Sequence, residues 1–128
     1  MPKKFNKIVL TGAAGRLGSY LREPLAALCN ELVSTDIKEQ RGTLYAGETY
    51  VQADLANFDA MEAVIKGAEM VVHMGAFVDE GPFEQLLGPN FVGSYNVWEA
   101  ASRHGVRRVV YGSSIHAVGM YPKNEFIG

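Results

Sequence analysis

Short apolar runs alternate with longer stretches in which apolar residues recur at helical spacing, and glycines and prolines separate one from the next. Residues 7–11 place Ile8, Val9 and Leu10 in a row, as a strand buried on both faces requires. From Gly15 to Cys29 the pattern turns helical, with Leu17, Tyr20, Leu21, Leu25 and Leu28 on one face. Pro24 lies inside it and predicts a kink or an early break. Residues 31–36 and 48–52 read as a second and a third strand. Asn57 is a good N-cap for a helix that runs to Lys66 and stops at Gly67. Residues 70–74 give a fourth buried strand. Pro82 suits the first turn of a further helix, which Gly88-Pro89 interrupts because proline disfavours helix in the residue before it. The helical pattern resumes through Val92, Tyr95 and Trp98 and ends at Gly105, and residues 107–112 form a fifth strand.

Strands that alternate with helices and read as continuous apolar runs predict a parallel sheet covered on both faces. Right-handed crossovers then favour an α/β, Rossmann-type doubly wound parallel sheet with strand order 3-2-1-4-5. The 128 residues suffice for one domain, 1–128, with no second domain. Composition agrees: 48% hydrophobic and 20% charged residues exclude a disordered chain. The net charge of -2, without a basic stripe, argues against a nucleic-acid or membrane partner. Cys29 is alone, so no internal disulfide forms, and no Cys/His spacing suits a metal. A reducing, cytoplasmic setting is therefore expected. The run Ile8-Val9-Leu10 is too short for a signal sequence, and no segment has the length to cross a bilayer.

The strongest chemical signal is Thr11-Gly12-Ala13-Ala14-Gly15-Arg16-Leu17-Gly18, directly after the first strand and opening the first helix. Gly12 would permit the tight turn, Gly15 would let the backbone approach a pyrophosphate, and Gly18 would let the helix pack closely on the sheet. The free N–H groups and positive end of the helix would face the phosphates. Taken alone, such a pattern also fits a strand-to-helix turn without a ligand. Asp36 ends the second strand about 20 residues further on, where a carboxylate accepts from both ribose hydroxyls and repels a 2′-phosphate. That favours NAD as cofactor over NADP, although Arg16 and Lys38 could meet the extra phosphate, and a solvated strand-end charge is the plainer alternative. Asp54-Leu55 follows the third strand; Asp54 could accept from an adenine amino group with Leu55 packed on the ring, or serve only as a turn residue. All three features sit at carboxyl ends of strands, where such sheets bind ligands.

In these segments the chain resembles the extended short-chain dehydrogenases/reductases, the NAD-dependent epimerase/dehydratase family, and within it the uronate dehydrogenases. The resemblance runs through residues 11–18, 53–55, 71–76, 82–101 and 107–122. It implies that Gly12, Ala14, Gly15, Arg16, Leu17 and Gly18 hold the pyrophosphate, Asp36 the ribose, and Asp54 and Leu55 the adenine. His73, Met74, Gly75 and Ala76 would line the path of the nicotinamide ribose, and Asn90 would brace the sheet nearby. Ser114 matches the family's catalytic serine, and His116 a histidine beside the substrate. From the residues alone, His73 and His104 read as structural, Cys29 as a helical packing residue, and Phe83, Phe91, Tyr95 and Trp98 as core or subunit interface. Val78 and Ile115 stand where the uronate enzymes carry a serine and an asparagine, so the substrate is expected to differ in its polar contacts.

The resemblance also implies a tyrosine followed four residues later by a lysine. None of Tyr20, Tyr45, Tyr50, Tyr95, Tyr111 and Tyr121 has one. The expectation is therefore the NAD-binding portion of a sugar or sugar-acid oxidoreductase, truncated before the sixth strand and inactive by itself. A homo-oligomer is expected, with the fifth strand left as an open edge. The alternatives are an NAD-dependent nucleotide-sugar epimerase or dehydratase, and a non-catalytic dinucleotide-binding module.

Overall fold

A computed structural model describes residues 3–40, 42–77, 79–113 and 124. Its centre is strand β1, Phe5–Thr11, which pairs in parallel with β2, Cys29–Asp36, on one side and β4, Met70–His73, on the other. Strand β3, Glu48–Gln52, extends the sheet beside β2, and β5, Arg108–Tyr111, extends it beside β4. The order is β3-β2-β1-β4-β5, the doubly wound arrangement that the chain pattern predicts. Register aligns Thr11 with Thr35 and with His73, and His73 with Tyr111, so four strands finish within one residue of each other and their loops open along one edge.

The apolar runs are continuous because the sheet has a core on each face. Val9, Val33 and Val71 pack beneath helix α2, Phe58–Ile65, and helix α4, Gly93–Arg103. Ile8, Leu10, Leu32 and Val72 point the other way, toward Leu25 and Ala26 of helix α1, Arg16–Leu28. Asn57 caps α2 through its side chain, which accepts from the Ala60 N–H at 3.1 Å, and Gly67 follows with a positive φ, both as the sequence predicts.

Local expectations depart from the structure in part. Helix α1 turns only part of the expected face inward: Leu25 is buried and Leu21 packs on the core, joined by Gly18 and Ala26, whereas Leu17 and Tyr20 are 68% and 75% exposed. Its first turn rests on the glycine-rich loop by backbone contact, and that contact rather than leucine spacing sets the rotation of the helix. Pro24 does not break α1, which continues to Leu28; Cys29 then opens β2 instead of closing the helix. Gly88-Pro89 interrupts the next α-helix, as the sequence predicts, but the chain stays helically wound through the interruption. Helix α3, Phe83–Leu86, widens into a π turn, Leu87–Val92, before α4 begins, so the lost proline N–H is absorbed by looser winding. Phe83, Phe91, Tyr95 and Trp98 are all exposed, so they are not core.

One buried ion pair lies away from the carboxyl ends of the strands, and its pattern in the sequence gives no sign of it. The Glu48 carboxylate, fully enclosed, accepts from Arg22 Nε and Nη2 at 2.7 Å each, from Ser34 Oγ at 2.6 Å and from the Tyr45 N–H at 3.0 Å. Burial alone would raise the Glu48 carboxyl, but Arg22, Ser34 and Tyr45 outweigh it and hold the group below the usual carboxylate range. The cluster ties α1 and β2 to the start of β3.

Candidate functional site

Along the carboxyl edge of the sheet runs a cleft of about 650 Å³, lined on one side by Gly12, Gly15, Arg16, Leu17 and Gly18. Gly12 has φ +69°, and a Cβ there would lie 2.7 Å from Gly75 N, so the first turn and the loop after β4 touch backbone to backbone. At Gly18 a Cβ would collide with the carbonyl oxygen of Gly12. Helix α1 thus begins hard against the turn. Its N-cap is Gly15 and no side chain caps it, which leaves first-turn N–H groups without a side-chain partner at the cleft wall. That is the cradle an anionic diphosphate fits.

Asp36 stands at the end of β2 in the same cleft. Its Oδ2 accepts from the Ala14 N–H and its Oδ1 from the Lys38 N–H, each at 3.0 Å, so backbone donors on two sides fix the carboxylate. Asp54 and Leu55 form the next stretch of wall. Asp54 Oδ1 accepts from the Ala56 N–H at 2.9 Å, which makes Asp54 a turn residue as well as a cleft residue. Asn96 Nδ2 donates to the Leu55 carbonyl at 2.9 Å, and Gly93 leaves room for the Leu55 side chain. Met74, Gly75 and Ala76 complete the line.

Eleven of the fourteen cofactor positions expected from sequence therefore share one cleft, and two of the others, Ala14 and Asn90, support it. Ala14 holds Asp36. Asn90, in the π turn, pairs with the backbone of Phe77, accepting from its N–H at 2.7 Å and donating to its carbonyl at 3.0 Å. It braces the loop after β4 rather than the sheet itself. Ile37, Phe77 and Asp79 also line the cleft and were not singled out; an isoleucine directly after a strand-end acid is the one signal that could have shown Ile37. Ser114 and His116 lie outside the described residues.

His73 is corrected in position: it is buried and does not line the cleft. Thr11 Oγ1 lies 2.6 Å from His73 Nδ1 and accepts from the Met74 and Gly75 N–H groups at 3.1 and 3.0 Å. With those acceptor sites filled, the hydroxyl donates to Nδ1, and the neutral ring carries its proton on Nε2. Burial pushes His73 down to about 4, from an unfolded value near 6.5. The folded value is the lower one, so the stability it represents is complete above about pH 6.5 and is lost as pH falls toward 4. Urea unfolding should show this residue removing about 3 kcal/mol across that interval, and His73→Phe should show a correspondingly flatter decline; equal slopes would contradict it.

A parallel sheet whose loops open along one edge, a glycine-built turn against an open helix start and an acid one strand away together define a Rossmann-type domain. Residues 8–127 match the NAD dependent epimerase/dehydratase family, and the chain belongs to it. It is 42% identical over 123 residues to the uronate dehydrogenase of Pseudomonas syringae, covering 96% of this chain and 45% of that protein. Among solved structures it is similar to a mutant uronate dehydrogenase from Agrobacterium tumefaciens complexed with NAD, with a TM-score of 0.87 and 40% identity over 95% of this chain and 46% of that one. A glucuronic acid dehydrogenase from Chromohalobacter salexigens gives 0.87 and 36%, over 96% and 46%. The chain spans about half the length of the relatives it matches. No described helix is long and apolar enough to cross a membrane, and the described residues contain no cluster of three or more metal-ligating side chains.

Proposed function

We propose that the chain binds NAD in this cleft and forms the cofactor-binding part of an oxidoreductase acting on a sugar or sugar acid, uronate dehydrogenase-like in chemistry. The observation that carries the reading is the convergence of the uncapped start of α1 and the doubly anchored Asp36 carboxylate on one cleft. Bound NAD would supply the hydride acceptor. The amides of α1 would hold its diphosphate, Asp36 its adenosine ribose, and Asp54 and Leu55 its adenine. Met74, Gly75 and Ala76 would flank the nicotinamide ribose. Ser114 would hydrogen-bond the reacting oxygen, with His116 on the substrate side. Asp36 would repel the 2′-phosphate of NADP.

A cytoplasmic setting and a homo-oligomer belong to the same proposal, the oligomer supported by the exposed Phe91, Tyr95, Trp98 and Tyr111. With no lysine four residues after any tyrosine, the 128-residue chain should bind cofactor and turn nothing over. Calorimetry with NAD and NADP, beside an absorbance assay with glucuronate and galacturonate, tests the whole reading. Saturable NAD binding, weaker NADP binding and no NADH are expected. NADP preference, or NADH formed by this chain, would contradict it. The second reading, a nucleotide-sugar epimerase or dehydratase, draws on the family description alone. It predicts that a longer protein containing this segment converts a nucleoside diphosphate sugar and leaves free uronates untouched.

A further inference from the structure

Behind Asp36 the chain leaves the sheet through Ile37 and Lys38, both exposed and both on the cleft wall. Two side chains of the neighbouring strand hold this departing backbone. Tyr50 Oη donates to the Lys38 carbonyl at 2.6 Å, and Gln52 Nε2 donates to the Ile37 carbonyl at 2.9 Å. The Asp36 carbonyl itself accepts from the Ala53 N–H at 2.9 Å. Three consecutive carbonyls, from the last residue of β2 onward, are thus tied to β3 and the residue beyond it.

That arrangement bears directly on the carboxylate. The Lys38 N–H donates to Asp36 Oδ1, so where the Lys38 backbone sits decides how Asp36 is turned. The two carboxylate oxygens offer about four acceptor positions, and Ala14 and Lys38 use one on each. One remains on each oxygen, the number a ribose 2′,3′-diol needs. Lys38 is also a cation within reach of this end of the cleft, the type of group that would welcome a 2′-phosphate. Anchoring its carbonyl keeps the turn from refolding to bring that charge forward in place of the acid.

We propose that Tyr50 and Gln52 are positioning residues for cofactor choice: by clasping the backbone of Ile37 and Lys38 they hold Asp36 toward the ribose diol and withhold Lys38 from a 2′-phosphate. This rests on the proposed NAD site and adds to it the device that sets its selectivity. Neither residue touches the cofactor in this account. Tyr50 stays a donor at neutral pH, since burial and the nearby Asp36 charge both push its phenol up.

The test is calorimetric titration of NAD and of NADP into the wild-type chain, Tyr50→Phe, Gln52→Leu, the double variant and Thr49→Ala, with urea midpoints alongside. Thr49 is an exposed β3 residue outside the clasp and serves as the control for disturbance of the strand. In the double variant NAD affinity should fall about tenfold, the scale of one hydrogen bond to a charged group. NADP affinity should hold or rise, so the preference for NAD narrows at least tenfold, while Thr49→Ala leaves it unchanged. A purely structural role would weaken both cofactors together and leave their ratio fixed, which would overturn the inference while the NAD site stands. A folded wild-type chain that binds neither cofactor would overturn both.

Discussion

Gly18→Ala should abolish NAD binding, with affinity down at least a hundredfold, and should lower folding stability by about 2–3 kcal/mol. The added methyl would run into the carbonyl oxygen of Gly12, with Gly12 C and Ala13 Cα also within 3.0 Å. These are backbone atoms of a turn that cannot retreat, because Gly12 is itself pressed against Gly75 and the carbonyl of Met74. The first turn of α1 therefore lifts, and its amides leave the cleft wall. Gly67→Ala is the useful contrast. Gly67, unlike Gly18, has a positive φ, and nothing lies within 4 Å of its missing Cβ, so backbone strain alone should cost about 1–2 kcal/mol. NAD binding should survive it. Urea denaturation and calorimetry on both variants check the pair; an unimpaired Gly18→Ala would show that close packing of α1 on the turn is not what builds the cradle.

Asp36→Ala should weaken NAD by roughly a hundredfold while leaving NADP no worse, and improved if Lys38 and Arg16 then meet its phosphate. The size follows from losing two charge-assisted hydrogen bonds to the ribose. The Ala14 and Lys38 N–H groups also lose their acceptor, but both lie near solvent, so the urea midpoint should move little. Competitive titration with the two cofactors separates these effects. Equal losses for NAD and NADP would mean that Asp36 only shapes the loop.

Much of this was legible in the chain. Val9 between Ile8 and Leu10 could be apolar on both sides only in a sheet with two cores, and the alternation with helices then fixed the strand order. Gly12, Gly15, Gly18 and Asp36 were readable because their spacing reflects local backbone geometry. What escaped was decided by contacts far apart in sequence. The rotation of α1 depends on Gly18 meeting Gly12, so Leu17 and Tyr20 face outward despite their spacing. The π turn depends on Asn90 reaching Phe77, which outweighs the helix-breaking tendency of Gly88-Pro89. The clasp by Tyr50 and Gln52 depends on strand register, which the composition of β3 does not reveal. His73 matched a cofactor-lining position by resemblance, yet its partner Thr11 draws it into the sheet interior.

The account stands on amides at the start of α1 meeting a diphosphate while Asp36 meets the adjoining sugar. The most direct measurement is an amide-resolved nuclear magnetic resonance titration of the folded chain with NAD. The largest shifts should fall on Ala14, Arg16, Leu17, Gly18 and Lys38, saturating together with one midpoint. Spectra that stay unchanged at millimolar NAD, or shifts confined to residues away from the cleft, would contradict it.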